Sequence, residues 1–74
     1  MRDYLLHMRI EKSMSQQHVA DKLDCTRQYY QQVEHGERHK DISLDLLIKL
    51  SEVFDEPLDK LIEAEREYKT SITS

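Results

Sequence analysis

The stretch from Ser15 to Gly36, SQQHVADKLDCTRQYYQQVEHG, constrains the fold more than any other part of the chain. Ser15 is suited to begin a helix, because its hydroxyl can accept a hydrogen bond from a free backbone N–H of the first turn. Val19, Ala20 and Leu23 follow at spacings that place them on one buried face. The first half of the stretch therefore predicts a short helix with a single apolar face.

The second half of the stretch predicts another short helix after a tight turn at residues 24–25. Asp24 is expected to take the left-handed backbone conformation of that turn, which Asp tolerates better than most residues. Thr26 can cap the second helix, which runs to His35, and Gly36 supplies the left-handed stop. Two short helices joined in this way form the layout of a helix-turn-helix.

The second helix carries different chemistry on its two sides. Tyr30 and Val33 point inward together by helical spacing, with the Tyr30 hydroxyl expected at the rim of the core. Side chains that donate and accept hydrogen bonds gather on another face, and these are Arg27, Gln28, Gln31 and Gln32. Gln matches adenine N6 and N7, and Arg matches guanine O6 and N7, so this face suits the DNA major groove. The alternative is that the glutamines are helix formers on a solvated surface.

A wider set of residues resembles a known family. The set comprises Met14-Ser15-Gln16, Val19-Ala20, Leu23, Thr26-Arg27, Val33-Glu34 and Gly36. In these positions the chain is similar to the Cro/C1-type helix-turn-helix family of bacterial and phage regulators, and the similarity extends from about Tyr4 to Ile62. The resemblance implies an all-α, five-helix, lambda-repressor-like DNA-binding domain with a central helix-turn-helix. It also implies double-stranded DNA as the partner, with helix 26–35 in the major groove.

Three features depart from the usual pattern of that family. Asp24 replaces the usual turn glycine, Tyr30 stands where a branched aliphatic residue is usual, and the net charge is −4. The charge is unevenly spread, since residues 1–40 carry +1 and all four histidines, whereas residues 41–74 carry −5. Exposed charges are screened beyond about 8–10 Å, so a basic surface can meet phosphates while the acidic half faces away.

Individual residues can be given expected roles. The base contacts are expected from Arg27, Gln28, Gln31 and Gln32. The contacts with the DNA backbone are expected from Gln16 at a helix N-terminus, Tyr29 at the edge of helix 26–35, and Arg38, His39 and Lys40 in the next loop. A contact with a thymine methyl group is the alternative for Tyr29. The resemblance also implies that Arg9 pairs with Glu34 inside the fold. An ordinary solvated side chain is the alternative for these polar residues.

The rest of the chain predicts three more helices. The first covers about residues 2–12, with Leu5 and Met8 inward and Tyr4 or Ile10 beside them. Ser43 can cap a fourth helix, Leu44 to Phe54, whose inward stripe is Leu44, Leu47, Leu50, Ser51 and Phe54. Leu46, Ile48 and Val53 remain as surplus apolar residues of this helix.

The fifth helix begins at Glu56-Pro57, because proline is tolerated in a first turn. Its core residues are expected to be Leu58, Leu61 and Ile62, and Glu65 and Lys69 have a helix-supporting spacing. We expect a single domain over residues 1–68 and a frayed tail over residues 69–74.

Composition limits the class of protein. A chain of 74 residues forms one small domain with a limited core. A single cysteine excludes an internal disulfide, and no stretch approaches the roughly 20 apolar residues that span a bilayer, so a cytoplasmic location is expected. One Gly and one Pro favour helices over an all-β fold with many turns.

No motif in the chain predicts catalysis, a cofactor or a metal. His35 and His39 are four residues apart, but Gly36 interrupts the helix that would bring them together. Cys25 is expected to be a small buried apolar residue. The chain also has no glycine-rich phosphate loop, so an enzyme is not expected.

Two hypotheses for the function follow. The first is a sequence-specific regulator, most simply a repressor, that binds a palindromic operator as a homodimer through the surplus apolar residues of helices four and five and Tyr68. The second is a protein-binding module of the same fold, such as an antitoxin or anti-repressor, whose acidic C-terminal half contacts a basic partner.

Overall fold

The structure is a computed structural model that describes residues 1–36 and 42–73. Five α-helices follow one another: α1 (Asp3–Glu11), α2 (Gln16–Lys22), α3 (Arg27–His35), α4 (Leu44–Phe54) and α5 (Leu58–Thr73). No strand occurs in this described part of the chain. The predicted all-α, five-helix fold with a central helix-turn-helix is confirmed.

Three helices begin at the residues that the sequence indicated. Their N-caps are Ser15 for α2, Thr26 for α3 and Ser43 for α4. In each case the side-chain hydroxyl oxygen accepts a hydrogen bond from the backbone N–H three residues later, at 3.0 Å in α2 and 3.1 Å in α3 and α4. Local capping chemistry is therefore sufficient to set these helix starts.

Left-handed residues end the first four helices. Gly36, with φ of 75°, ends α3, and Asp24, with φ of 58°, follows α2 as expected. Ser13 and Asp55 take the same conformation after α1 and α4, with φ of 56° and 53°. After α1, α2 and α4, the left-handed residue and its successor donate backbone hydrogen bonds three and five residues back, which satisfies the last carbonyls of each helix.

An apolar core joins all five helices. Its buried members are Leu5, Met8, Val19, Ala20, Leu23, Tyr30, Val33, Leu47, Leu50, Phe54 and Leu61. Leu58 and Ile62 pack against it as partly buried residues. The inward pairs predicted for α1 and α3 and the apolar face of α2 are confirmed.

Two apolar residues that we expected at the core are exposed instead. Leu44 is 57% exposed, because it lies roughly a quarter-turn around α4 from the centre of the buried stripe. Ile10 is 61% exposed on the far side of α1, so Tyr4 alone packs beside the inward pair. Both residues are left available on the surface.

The C-terminal helix is longer and differently used than the sequence suggested. Helix α5 continues to Thr73, past Tyr68, where we expected fraying to begin. Glu65, which we expected to support the helix surface together with Lys69, is buried and bonded to Arg2. The spacing from Leu58 and Leu61 places Glu65 and Tyr68 on the inward side of α5.

The left-handed turn residues generate a prediction about stability. We expect Asp24→Gly to raise the free energy of unfolding by about 0.5–1 kcal/mol, because glycine adopts this conformation without the steric cost of a Cβ. Chemical denaturation of both proteins measures the difference. An Asp24→Gly variant that is less stable than the wild type would contradict the expectation.

Gly36→Ala should change the free energy of unfolding in the opposite direction to Asp24→Gly. It should lower the free energy of unfolding by about 1 kcal/mol or more, because φ is positive there and a new Cβ would collide with Tyr68 Oη. Tyr68→Phe in the Gly36→Ala protein should recover the part of the loss that comes from this collision.

Candidate nucleic-acid interface

Helix α3 has one buried side and one side that faces solvent. Tyr30, Val33 and Glu34 are buried on the inner side. The side chains of Arg27, Gln28, Gln31 and Gln32 form the reading face, and all but the half-buried Gln32 are exposed. The structure therefore places the four expected base-contacting residues on the outer part of one rigid helix.

Within the reading face, Gln28 and Gln32 lie next to each other. Together with Thr26 and Tyr29 they line a shallow depression on the surface. No hydrogen bond or ion pair within the described residues engages the side chains of Arg27, Gln28 or Gln31. Their donors and acceptors therefore remain available to an external partner.

Tyr29 lies at the border between α3 and α4. It is half-buried, and it lines a second depression with Leu23, Cys25, Ser43 and Leu46 among others. Cys25 is itself only partly buried, and burial, followed by the charge of Asp24, raises the pKa of its thiol. A thiol with a raised pKa is a weak nucleophile, which agrees with a packing role for Cys25.

Gln16 turns partly inward at the start of α2. It is half-buried, and its Nε2 donates a long hydrogen bond of 3.5 Å to Glu34 Oε1. Its amide therefore lies between the N-terminal end of α2 and the buried side of α3, where it can link the two helices of the motif.

The inner side of α3 is fixed to α1 by an ion pair. Arg9 Nε and Nη2 donate to the two carboxylate oxygens of Glu34 at 3.0 and 3.1 Å, and Nη1 donates to Met14 O at 3.2 Å. The structure thus brings together the two residues whose pairing the resemblance implied. The hydrogen bond to Glu34 raises the pKa of the Arg9 guanidinium, so the charge of Arg9 is retained.

A second ion pair, which we did not anticipate, holds the end of α3. Arg2 has no exposed surface, and its Nε and Nη2 donate to Glu65 at 2.9 and 3.1 Å. Arg2 Nη1 also donates to Val33 O at 2.7 Å, and the Tyr68 ring centroid lies 4.8 Å from the guanidinium carbon. Burial alone would lower the pKa of Arg2, but the hydrogen bond and charge of Glu65 raise it overall.

The sequence contained a signal for this second pair. Arg2 lies three residues before the buried Leu5, and Glu65 lies four residues after the buried Leu61, so both fall on inward helix sides. Opposite charges at two inward positions indicate a buried pair. Hydrophobic spacing alone did not reveal it, because charged residues are seldom fully buried.

The Tyr30 hydroxyl corrects another expectation. Tyr30 has no exposed surface, so its hydroxyl is not at the rim of the core, and it forms no hydrogen bond within the described residues. Glu34 and Arg9 are close enough for their charges and their polar atoms to act on it, although neither reaches good hydrogen-bond geometry. Burial, followed by the charge of Glu34, raises the pKa of Tyr30 far above its ordinary value, and the phenol therefore stays neutral.

Some expected contacts fall outside the described residues, namely Arg38, His39 and Lys40. One exposed residue of α3, His35, was considered from the sequence only as a metal ligand. His35 lies one turn beyond Gln31 on the same outer side of α3, a position that the seven-residue spacing from Gln28 could have indicated.

Two further features concern metal sites and membrane-spanning helices. In the described part of the chain, no three side chains of His, Cys, Asp or Glu gather in a way that could hold a metal ion. None of the helices described has the length and apolarity needed to cross a membrane.

Tyr30 generates a prediction for pH and stability. We expect Tyr30→Phe to raise the free energy of unfolding by about 1 kcal/mol at pH 7, because it removes a buried hydroxyl that has no well-formed hydrogen bond within the described residues. The phenol is neutral in the fold but ionises in the unfolded chain near the ordinary tyrosine pKa of 10.0. The wild type should therefore lose stability above pH 10, and Tyr30 should contribute about 1.4 kcal/mol per pH unit to this loss. Tyr30→Phe should remove the contribution of Tyr30.

The matched control is Tyr4→Phe. The Tyr4 hydroxyl donates to Glu65 Oε1 at 2.7 Å, so its removal should lower stability at pH 7 by about 1 kcal/mol. Urea titrations between pH 7 and pH 11 measure both variants. A loss of stability in Tyr30→Phe similar to that in Tyr4→Phe would show that the Tyr30 hydroxyl has a partner.

Comparison with known proteins gives one positive result. A family model described as helix-turn-helix, of the Cro/C1 type, matches residues 5–61. Searches of curated proteins and of solved structures gave no match. The matched segment includes α2, α3, α4 and most of α1. The chain therefore belongs to the Cro/C1-type helix-turn-helix family, whose domain is a DNA-binding regulatory domain and is not typically enzymatic.

Proposed function

We propose that the protein is a sequence-specific regulator that binds double-stranded DNA in the cytoplasm, most simply as a repressor that occupies an operator. The observation that carries the proposal is the reading face on α3. Its exposed side chains Arg27, Gln28 and Gln31 have no partners within the described residues. One partly buried ion pair supports the inner side of the same helix, and one buried ion pair supports its end.

The residue types of the reading face suit base edges in the major groove. The guanidinium of Arg27 can donate two hydrogen bonds to guanine, and the amide of Gln28 or Gln32 can pair with adenine. Gln31 and the exposed His35 extend the same surface along α3. Each good bidentate contact discriminates against the wrong base by about 1–3 kcal/mol.

Contacts with the sugar-phosphate backbone would position the helix without specifying sequence. We assign this role to Tyr29 of α3 and to Gln16 at the N-terminal end of α2. Arg38, His39 and Lys40, which lie outside the described residues, are proposed as further backbone contacts. The −5 charge of residues 41–74 would keep non-specific binding weak, since that binding depends on the number of phosphates neutralised.

A homodimer would supply the specificity that one small domain lacks. One copy reads few base pairs, whereas two copies related by a two-fold axis read a palindrome with half-sites about 34 Å apart. Leu44 and Ile48 are exposed one turn apart on α4, at 57% and 36%, and offer apolar surface for the contact. Tyr68, which we first considered for this contact, instead packs on Arg2.

The second candidate function is an antitoxin-like or anti-repressor-like module that binds a protein. The acidic C-terminal half favours it, because a −5 surface complements a basic partner. The same domain over residues 1–68 would serve either function, with residues 69–73 as the last part of α5. DNA binding is favoured because Arg27, Gln28 and Gln31, which have no partner within the described residues, carry the donors and acceptors that base edges require.

Base reading by α3 is tested with duplexes selected from a random pool. We expect Gln28→Ala to weaken binding to the selected duplex by about 5- to 150-fold, the equivalent of 1–3 kcal/mol, while binding to a scrambled duplex stays the same. Titrations by gel shift at two salt concentrations measure both affinities.

Gln17→Ala is the matched control for that experiment. Gln17 is an exposed glutamine on α2 whose Nε2 donates to Asp21 at 2.8 Å, so the change should leave both affinities unaltered. Equal effects of Gln17→Ala and Gln28→Ala would contradict base reading by α3. Absence of any preferred duplex would favour the protein-binding module.

The proposed homodimer is tested with two exposed apolar residues. Leu44→Ser should weaken the dimer seen by light scattering and reduce the affinity for the palindrome, because it removes apolar area from the contact. Ile10→Ser is the matched control, since Ile10 is similarly exposed, at 61%, on α1. Monomers at tens of micromolar with one copy per duplex would exclude the dimer.

A further inference from the structure

Four side chains from the two ends of the chain meet at the C-terminal end of α3. We call them the Arg2 clamp, and its members are Arg2, Tyr4, Glu65 and Tyr68. We propose that the Arg2 clamp positions α3 for base reading, so that α5 takes part in sequence discrimination without a contact to DNA. The inference rests on the proposed function, because it requires α3 to be the helix that enters the groove.

The first step concerns the backbone carbonyls at the end of α3. Such carbonyls lack the usual partner four residues further along the helix, and Val33 O accepts one hydrogen bond from the Gly36 N–H at 3.2 Å. Arg2 supplies donors for two of them, since Nη1 donates to Val33 O and the backbone N–H donates to Glu34 O, both at 2.7 Å. The buried cation also faces the negative end of the helix dipole. The last turn of α3 is therefore held by Arg2, from outside the helix-turn-helix, in addition to the Arg9–Glu34 pair.

The second step concerns what fixes Arg2 itself. Both carboxylate oxygens of Glu65 accept from the guanidinium, which sets the plane of the guanidinium as well as its position. The Tyr68 ring covers the guanidinium at 4.8 Å, and Tyr4 Oη donates to Glu65 Oε1 at 2.7 Å. Helix α5 thus determines where the Nη1 donor for Val33 O lies.

The third step concerns the reading face. Gln32 precedes Val33 directly, so a shift of the last turn of α3 moves Gln32 with it. The N-terminal end of α3 is held separately, by the Thr26 cap and the turn that joins it to α2. Loss of the clamp would therefore tilt or loosen α3 chiefly at its C-terminal end.

A small displacement there has unequal effects on the two kinds of DNA contact. Hydrogen bonds to base edges prefer donor angles above about 150° and weaken steeply below about 120°. Attraction between cations and phosphates depends on the number of charges and far less on their angles. A loosened α3 should therefore lose preference for its site while it keeps its general affinity for DNA.

The test uses Arg2→Lys in the full 74-residue chain. Lysine keeps the charge, but its single ammonium cannot hold both oxygens of Glu65 and reach Val33 O. Circular dichroism at low temperature first establishes that the variant is folded. We expect the ratio of affinities for selected and scrambled duplexes to fall about tenfold, roughly the worth of one base contact, with the scrambled affinity within twofold of wild type.

Two further variants separate positioning from stability. Arg66→Lys is the matched control, because Arg66 is an exposed arginine of the same helix that pairs only locally with Glu63 at 3.5 Å, and it should leave the ratio unchanged. Glu65→Gln keeps the shape of the clamp and removes one charge, and it should lower the ratio in the same direction. It also replaces Arg2→Lys if that variant does not fold.

A double-mutant cycle links the clamp to the reading face. In a Gln32→Ala protein, Arg2→Lys should lower the ratio by less than in the wild type, because the contact that the clamp positions is already gone. Folded Arg2→Lys and Glu65→Gln proteins with the wild-type ratio would overturn the inference while the proposed function stands. A wild-type protein without any preferred duplex would overturn both.

Discussion

A guanidinium with no exposed surface must have its charge compensated and its donors bonded, and in this fold that requirement joins three helices. Arg2 lies at the start of α1, its carboxylate partner Glu65 belongs to α5, and its carbonyl acceptor Val33 belongs to α3. Loss of one partner from a buried pair costs about 3–5 kcal/mol, a large share of the stability of a small domain. The relative placement of these helices therefore depends on a few charge-assisted hydrogen bonds as well as on apolar packing.

Charge-assisted hydrogen bonds combined with apolar packing also explain how α3 remains fixed while it presents polar side chains outward. Its inner side combines the apolar Val33 with the Arg9–Glu34 pair, which sets a direction as well as a distance because both oxygens of the carboxylate are used. The outer side carries Arg27 and Gln28, which no neighbour in the described chain restrains. A buried polar network makes one orientation of the helix more stable than similar orientations. Apolar contacts alone distinguish such orientations less strictly.

Local chemistry was predictable from the sequence, and long-range polar contacts were not. Ser15, Thr26 and Ser43 each act on a backbone N–H three residues away, so their roles follow from the sequence alone. The role of Arg2 depends on Glu65, 63 residues away, and on a carbonyl that becomes available only when α3 ends. Leu44 and Ile10 were expected at the core but are exposed, because an apolar residue need not be buried. Helical spacing alone predicts which side chains share the reading face. It does not predict that a residue of α5 helps to hold α3 in place.

The distance along the chain between Arg2 and Glu65 also bears on the order of events during synthesis. Translation proceeds from the N-terminus at about 5–20 residues per second, so Arg2 leaves the ribosome several seconds before its carboxylate does. Until α5 has emerged, the nascent chain can form α2 and α3 but must keep the guanidinium in water. Helix α3 therefore reaches its final orientation only after Glu65 has left the ribosome.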